Sequence, residues 1–77
     1  MKNPKKLSLI YSKAIKRISD IVGEECSGVF SLGGIDRSWR IETRSGDVVM
    51  RGDDGSNFES VVRRMIAWLA IQTLMLD

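Results

Sequence analysis

The apolar residues of this chain change their spacing twice, and that double change decides what it folds into. From Leu7 to Val22 they recur every three or four residues, at Leu7, Ile10, Tyr11, Ala14, Ile15, Ile18, Ile21 and Val22. At about 100° per residue these positions form one stripe roughly 140° wide, the pattern of an amphipathic helix with one face on a core. Asn3 is placed to cap that helix, Pro4 suits its first turn, and Gly23 is placed to stop it. The period then falls to two. Cys26, Gly28, Phe30 and Leu32 alternate with Ser27, Val29 and Ser31, and Trp39, Ile41 and Thr43 alternate with Ser38, Arg40, Glu42 and Arg44. Val48, Val49 and Met50 make a third short run. Gly33-Gly34 and Ser45-Gly46 punctuate the runs as short turns, which join antiparallel neighbours. After the loop Gly52-Asp53-Asp54-Gly55 the helical spacing returns, opened by Ser56 and Glu59 as a capping box.

The expected fold is α+β in the order α-β-β-β-α, a three-stranded antiparallel meander packed against two helices. The helices are expected at about 5–22 and about 56–76, with strands at about 27–51. A length of 77 residues leaves room for a single domain over 1–77 and for no interdomain substrate cleft.

Composition narrows the chemistry. A chain 43% hydrophobic and 29% charged, with one proline, is globular in character. Histidine is absent, which removes the commonest general base, the commonest metal ligand and every Ser–His or Cys–His nucleophile pair. Cys26 is the one cysteine and reads as a small core residue. An intrachain disulfide is therefore impossible, and a reducing, cytosolic setting is expected. Asp53 and Asp54 are the remaining candidates for acid–base work, and adjacent acids between glycines read first as a solvated turn. They lack the spacing of an EF-hand loop. A non-enzymatic protein is expected, with no cofactor, metal or small-molecule substrate. Leu7–Ile10 is too short for the core of a signal peptide, and Gln72 and Thr73 interrupt the most apolar stretch, so no membrane association is expected.

Three surfaces could meet a partner. Residues 1–19 hold six lysines or arginines and no acid, so the charge of the chain is uneven although its net value is only +2. Lys5, Lys6, Lys13, Lys16 and Arg17 project within roughly 120° of one another on the first helix. Such a face fits phosphates or an acidic protein surface, and equally an ordinary solvated face. On the second helix, Phe58, Val61, Val62, Met65, Ile66, Leu69 and Leu76 form a core stripe, while Trp68, Ile71 and Met75 lie to one side near Arg64, with Leu74 adjacent. Arg64, Trp68, Ile71 and Met75 are candidates for a protein interface, with a target or with a second copy as a homodimer, and burial against the first helix is the competing reading. The outward sheet face carries Arg40 and Arg44, with Arg37 and Arg51 near, and Glu42 between the first two favours a cross-strand charge ladder.

The order α-β-β-β-α, and Gly52-Asp53-Asp54-Gly55 leading into Ser56, are similar to the double-stranded RNA-binding domain and its glycine-containing entry to the second helix. Where that family has a lysine pair after the serine this chain has Asn57 and Phe58, its Gly-Pro-x-His element is absent, and Arg63 and Arg64 come a turn later. The resemblance implies the topology and not the RNA contacts. In overall character the chain also resembles small phage and prophage accessory proteins, anti-CRISPR inhibitors among them. That likeness implies a protein-binding inhibitor that blocks a macromolecular partner in the cytoplasm of a bacterial or phage-infected cell. The alternative is a nucleic-acid-binding domain that uses the basic face of the first helix.

Overall fold

The computed structural model describes residues 4–31, 37–55 and 57–75. Its elements are α1 (Pro4–Val22), β1 (Cys26–Phe30), β2 (Trp39–Thr43), β3 (Val48–Gly52) and α2 (Phe58–Met75). The sheet has the order β1-β2-β3, and both pairings are antiparallel. The expected α-β-β-β-α meander is what forms. The expectations for Asn3, Leu32, Gly33-Gly34, Ser56 and Leu76 fall outside the described residues.

Local chemistry explains where the elements stop. α1 ends where Gly23 takes φ +85°, and the N–H groups of Gly23 and Glu24 both donate to the Ser19 carbonyl, at 2.8 and 3.2 Å. That left-handed residue closes the carbonyl end of the helix. Ser19 does a second job: its hydroxyl donates to the Ile15 carbonyl at 2.8 Å and accepts the Cys26 N–H at 2.9 Å, which ties the end of α1 to the start of β1. The β2–β3 connection turns on Gly46 at φ +99°, whose N–H donates to the Thr43 carbonyl at 2.9 Å. α2 is capped by Asn57, whose side-chain oxygen accepts the Ser60 N–H at 3.3 Å and whose carbonyl accepts the Val61 N–H at 3.2 Å. Glu59 bonds Arg63 one turn on, at 2.7 Å, and its expected capping contact with Ser56 lies outside the described residues.

The core lies between the sheet and the two helices. Trp39, Ile41 and Thr43 of β2 are all buried, as strict alternation requires of the inner face of a central strand. They meet Ala14 and Ile18 of α1 and Val61 and Met65 of α2, with Cys26 at the β1 end. Among the described residues Thr43 is the one buried polar side chain, and its hydroxyl accepts the Asp47 N–H at 3.0 Å. β3 departs from alternation. Ile41 pairs with Met50 and Glu42 with Val48, so Val49 is an extra residue in a bulge. The bulge lets Val49 and Met50, neighbours in sequence, both pack on the core.

Tyr11, Phe30 and Phe58 close one end of the core as a tilted aromatic trio, with ring centroids 5.2 to 6.4 Å apart. Burial pushes the Tyr11 pKa up, opposed by a hydrogen bond to the Gly28 backbone. Gly28 has no side chain because the Tyr11 hydroxyl and the Phe30 ring occupy the space a Cβ would need. Gly28→Ala should therefore cost about 1–3 kcal/mol of stability. In a double-mutant cycle followed by urea denaturation, Tyr11→Phe should recover part of that loss by clearing the hydroxyl. Additive losses would show that the crowding lies elsewhere.

Candidate functional site

From Met65 to Met75 the sequence of α2 carries no charge, and Gln72 and Thr73 are its only polar side chains. A helix of this kind needs cover on most of its circumference. The fold gives cover only to its first half. Val61, Val62 and Met65 are buried, and Trp68 and Leu69 are half-buried against the core. Beyond Leu69 no described residue of α2 is buried. Ile71 is 54% exposed, Leu74 75% and Met75 76%. The last six residues extend about 9 Å along the helix axis. Thr73 adds little polarity, because its hydroxyl is turned back onto the Leu69 carbonyl at 2.9 Å.

The four residues assigned to an interface from sequence do not behave alike. Arg64, Trp68 and Ile71 line one shallow groove with Met50 and Ala67, about 210 Å³ in volume. Met75 stands one turn beyond Ile71, open to solvent. Trp68 is also packed on the core, so part of it belongs to the fold. Arg64 is tethered. Its guanidinium lies 5.5 Å from the centroid of the Trp39 ring, donates to the Arg51 carbonyl at 3.2 Å and stands 3.8 Å from Asp54. The same Asp54 carboxylate accepts the Trp39 indole N–H at 2.5 Å. Gly52 sits within this group, and a Cβ there would meet Arg64, Trp39 and Asp54 at 2.6 to 2.9 Å. Asp54 and Arg64 thus hold the buried indole in place. Asp53 is exposed beside them. Among the described residues no group of three potential ligands could hold a metal ion.

Sequence reasoning missed three members of the surface. Ile66 was assigned to the core stripe, but it is 47% exposed, in an open groove that it shares with α1. The signal available was its place at the edge of that stripe. Ala67 and Met50 were also missed: Ala67 for its small size, Met50 because the bulge that turns it inward leaves no mark in the spacing.

On α1, Lys5, Lys6, Lys13, Lys16 and Arg17 are all exposed, with Leu9 among them at 55% exposure. Asp20 continues the same face one turn beyond Lys16. Lys13, Lys16 and Arg17 form no ion pair among the described residues. The basic face is divided by what it borders. Lys13 and Arg17 flank a groove of about 230 Å³ between the helices, floored by Ile10, Ala14, Ile66 and Leu69. Lys16 faces the other side, where Ser12, Ser19, Glu25 and buried Cys26 form a more polar cleft of about 530 Å³. On the open sheet face Arg40 pairs with Glu42 at 2.5 Å, along its own strand, and stands opposite Arg51 on β3. Among the described residues no helix is long and apolar enough to cross a membrane.

No family model matches this chain, and no curated protein or solved structure is significantly similar to it.

Proposed function

We propose that this chain is a non-enzymatic protein-binding module that blocks or adapts a macromolecular partner through the second half of α2. The observation that carries the reading is the exposure of Ile66, Ile71, Leu74 and Met75 on a helix segment without charge. Exposed apolar residues scattered singly need no explanation, but a contiguous set on one helix marks a contact surface. The absence of histidine supports the non-enzymatic part, as does the commitment of Asp54 to Trp39. The setting we propose is a phage-type inhibitor of the anti-CRISPR kind, acting in the cytoplasm by occupying its partner's surface. Its support is character: a short chain with one buried cysteine and no catalytic equipment.

The test separates surface from core. Ile71→Glu with Met75→Glu should leave the chain folded and weaken its association with a partner about tenfold or more, read by sedimentation for self-association and by titration for a candidate effector. Trp68→Glu should lower stability as well, because that ring packs on the core. A folded double variant that binds as the parent does removes this surface from consideration.

A second reading has its own support. Lys13, Lys16 and Arg17 lack ion-pair partners among the described residues, which suits phosphate contacts by α1. Binding to duplex RNA or DNA that weakens steeply with added salt would establish it, and no binding at low salt would end it.

A further inference from the structure

We infer that the occupant of the seam between α1 and α2 is an acidic amphipathic helix of a partner protein. This rests on the reading of α2 as a docking surface and fixes the chemistry of what docks. The groove in the seam has an apolar floor of Ile10, Ala14, Ile66 and Leu69, and Lys13 and Arg17 form its α1 rim. On α2 the floor continues outward, because Ile66, Ala70 and Leu74 follow one another at four-residue spacing and all three are exposed. Ala70 leaves a notch between the two larger side chains, the shape that receives a side chain from a facing helix. The row from Ile66 to Leu74 is about 12 Å long, enough for two turns of such a helix.

The charges around this row select the partner. Lys13 and Arg17 make no ion pair among the described residues. Arg63 lies close to the line of Ala70 and Leu74 on the helical wheel. After Glu59, which is held by Arg63 at 2.7 Å, α2 has no acid in its described length. The nearest acid in sequence on α1 is Asp20, on the same face about 20° from Lys13 and about 60° from Arg17, and it forms no ion pair with either among the described residues. A partner helix with an apolar row flanked by carboxylates matches both the floor and the rim. A second copy of this chain matches less well, since it would bring its own Lys13 and Arg17 to a surface already positive. A nucleic acid would leave Ile66 and Leu74 without apolar partners.

Three synthetic peptides of about 18 residues test this, sharing one leucine row and differing only in the flanks: all Glu, alternating Glu and Lys, or all Lys. Titrated against the intact chain at low salt, the Glu peptide should bind tenfold or more tighter than the Lys peptide, and the gap should narrow at high salt. Lys13→Glu with Arg17→Glu should reverse the order, and Leu74→Glu should weaken all three. Failure of every peptide to bind, indifference to flank charge, or an order unchanged in the double variant would overturn the inference. Sedimentation of the parent and of Leu74→Glu distinguishes the two levels. If no peptide binds but Leu74→Glu abolishes self-association, the acidic-helix inference fails and the docking surface stands, with a second copy as occupant. If Leu74→Glu alters neither, both readings fall.

Discussion

Trp39→Ala is expected to unfold most of the population near body temperature. The side chain is 2% exposed and is the largest fully buried group in the core. Truncating such a residue costs about 3–5 kcal/mol, the loss of apolar burial plus the cavity left behind. A domain this short has stability of the same order, so little remains. The loss spreads beyond packing. The Asp54 carboxylate loses the indole N–H it accepts, and Arg64 loses the ring beneath its guanidinium. Asp54→Asn separates these contributions, because an amide oxygen still accepts the indole N–H while the charge facing Arg64 is gone. Thermal denaturation should place Asp54→Asn close to the parent and Trp39→Ala far below it. A Trp39→Ala chain that melts near the parent would mean that the core is not organised around this ring.

The parts legible in the sequence were those fixed by period. Ala14 and Ile18 are buried and Tyr11 and Ile15 half-buried, as the α1 stripe requires, and Trp39, Ile41 and Thr43 all face inward as alternation requires. Gly46 sits at the turn with the positive φ expected of the Ser45-Gly46 pair. What stayed hidden depends on how far one element reaches over another. A helical wheel puts Ile66 at the edge of the core stripe, about 60° from Leu69, and only the packing shows that this edge lies open, at 47% exposure. Arg64 illustrates the same difficulty from the other side. Its place beside Trp68 pointed to an interface, whereas its contacts with Trp39, Asp54 and the Arg51 carbonyl depend on the β3–α2 loop, whose path no residue spacing reports. The bulge at Val49 is also silent in sequence: a run of three apolar residues reads as a strand without alternation, and only the register shows which two turn inward.

The central claim is that the second half of α2 is an open apolar surface until a partner covers it, and two methionines on that helix report on it directly. Met65 is fully buried and Met75 is 76% exposed, ten residues apart in one sequence. Thioether oxidation follows access to the sulfur, so the two should differ in rate by about tenfold or more under dilute peroxide, read by mass spectrometry of the intact fold. Met75 should be oxidised early in the chain alone, while Met65 stays slow. Protection of Met75 as complete as that of Met65, in dilute chain with nothing bound, would contradict the account, because that surface would then already be covered by the protein itself.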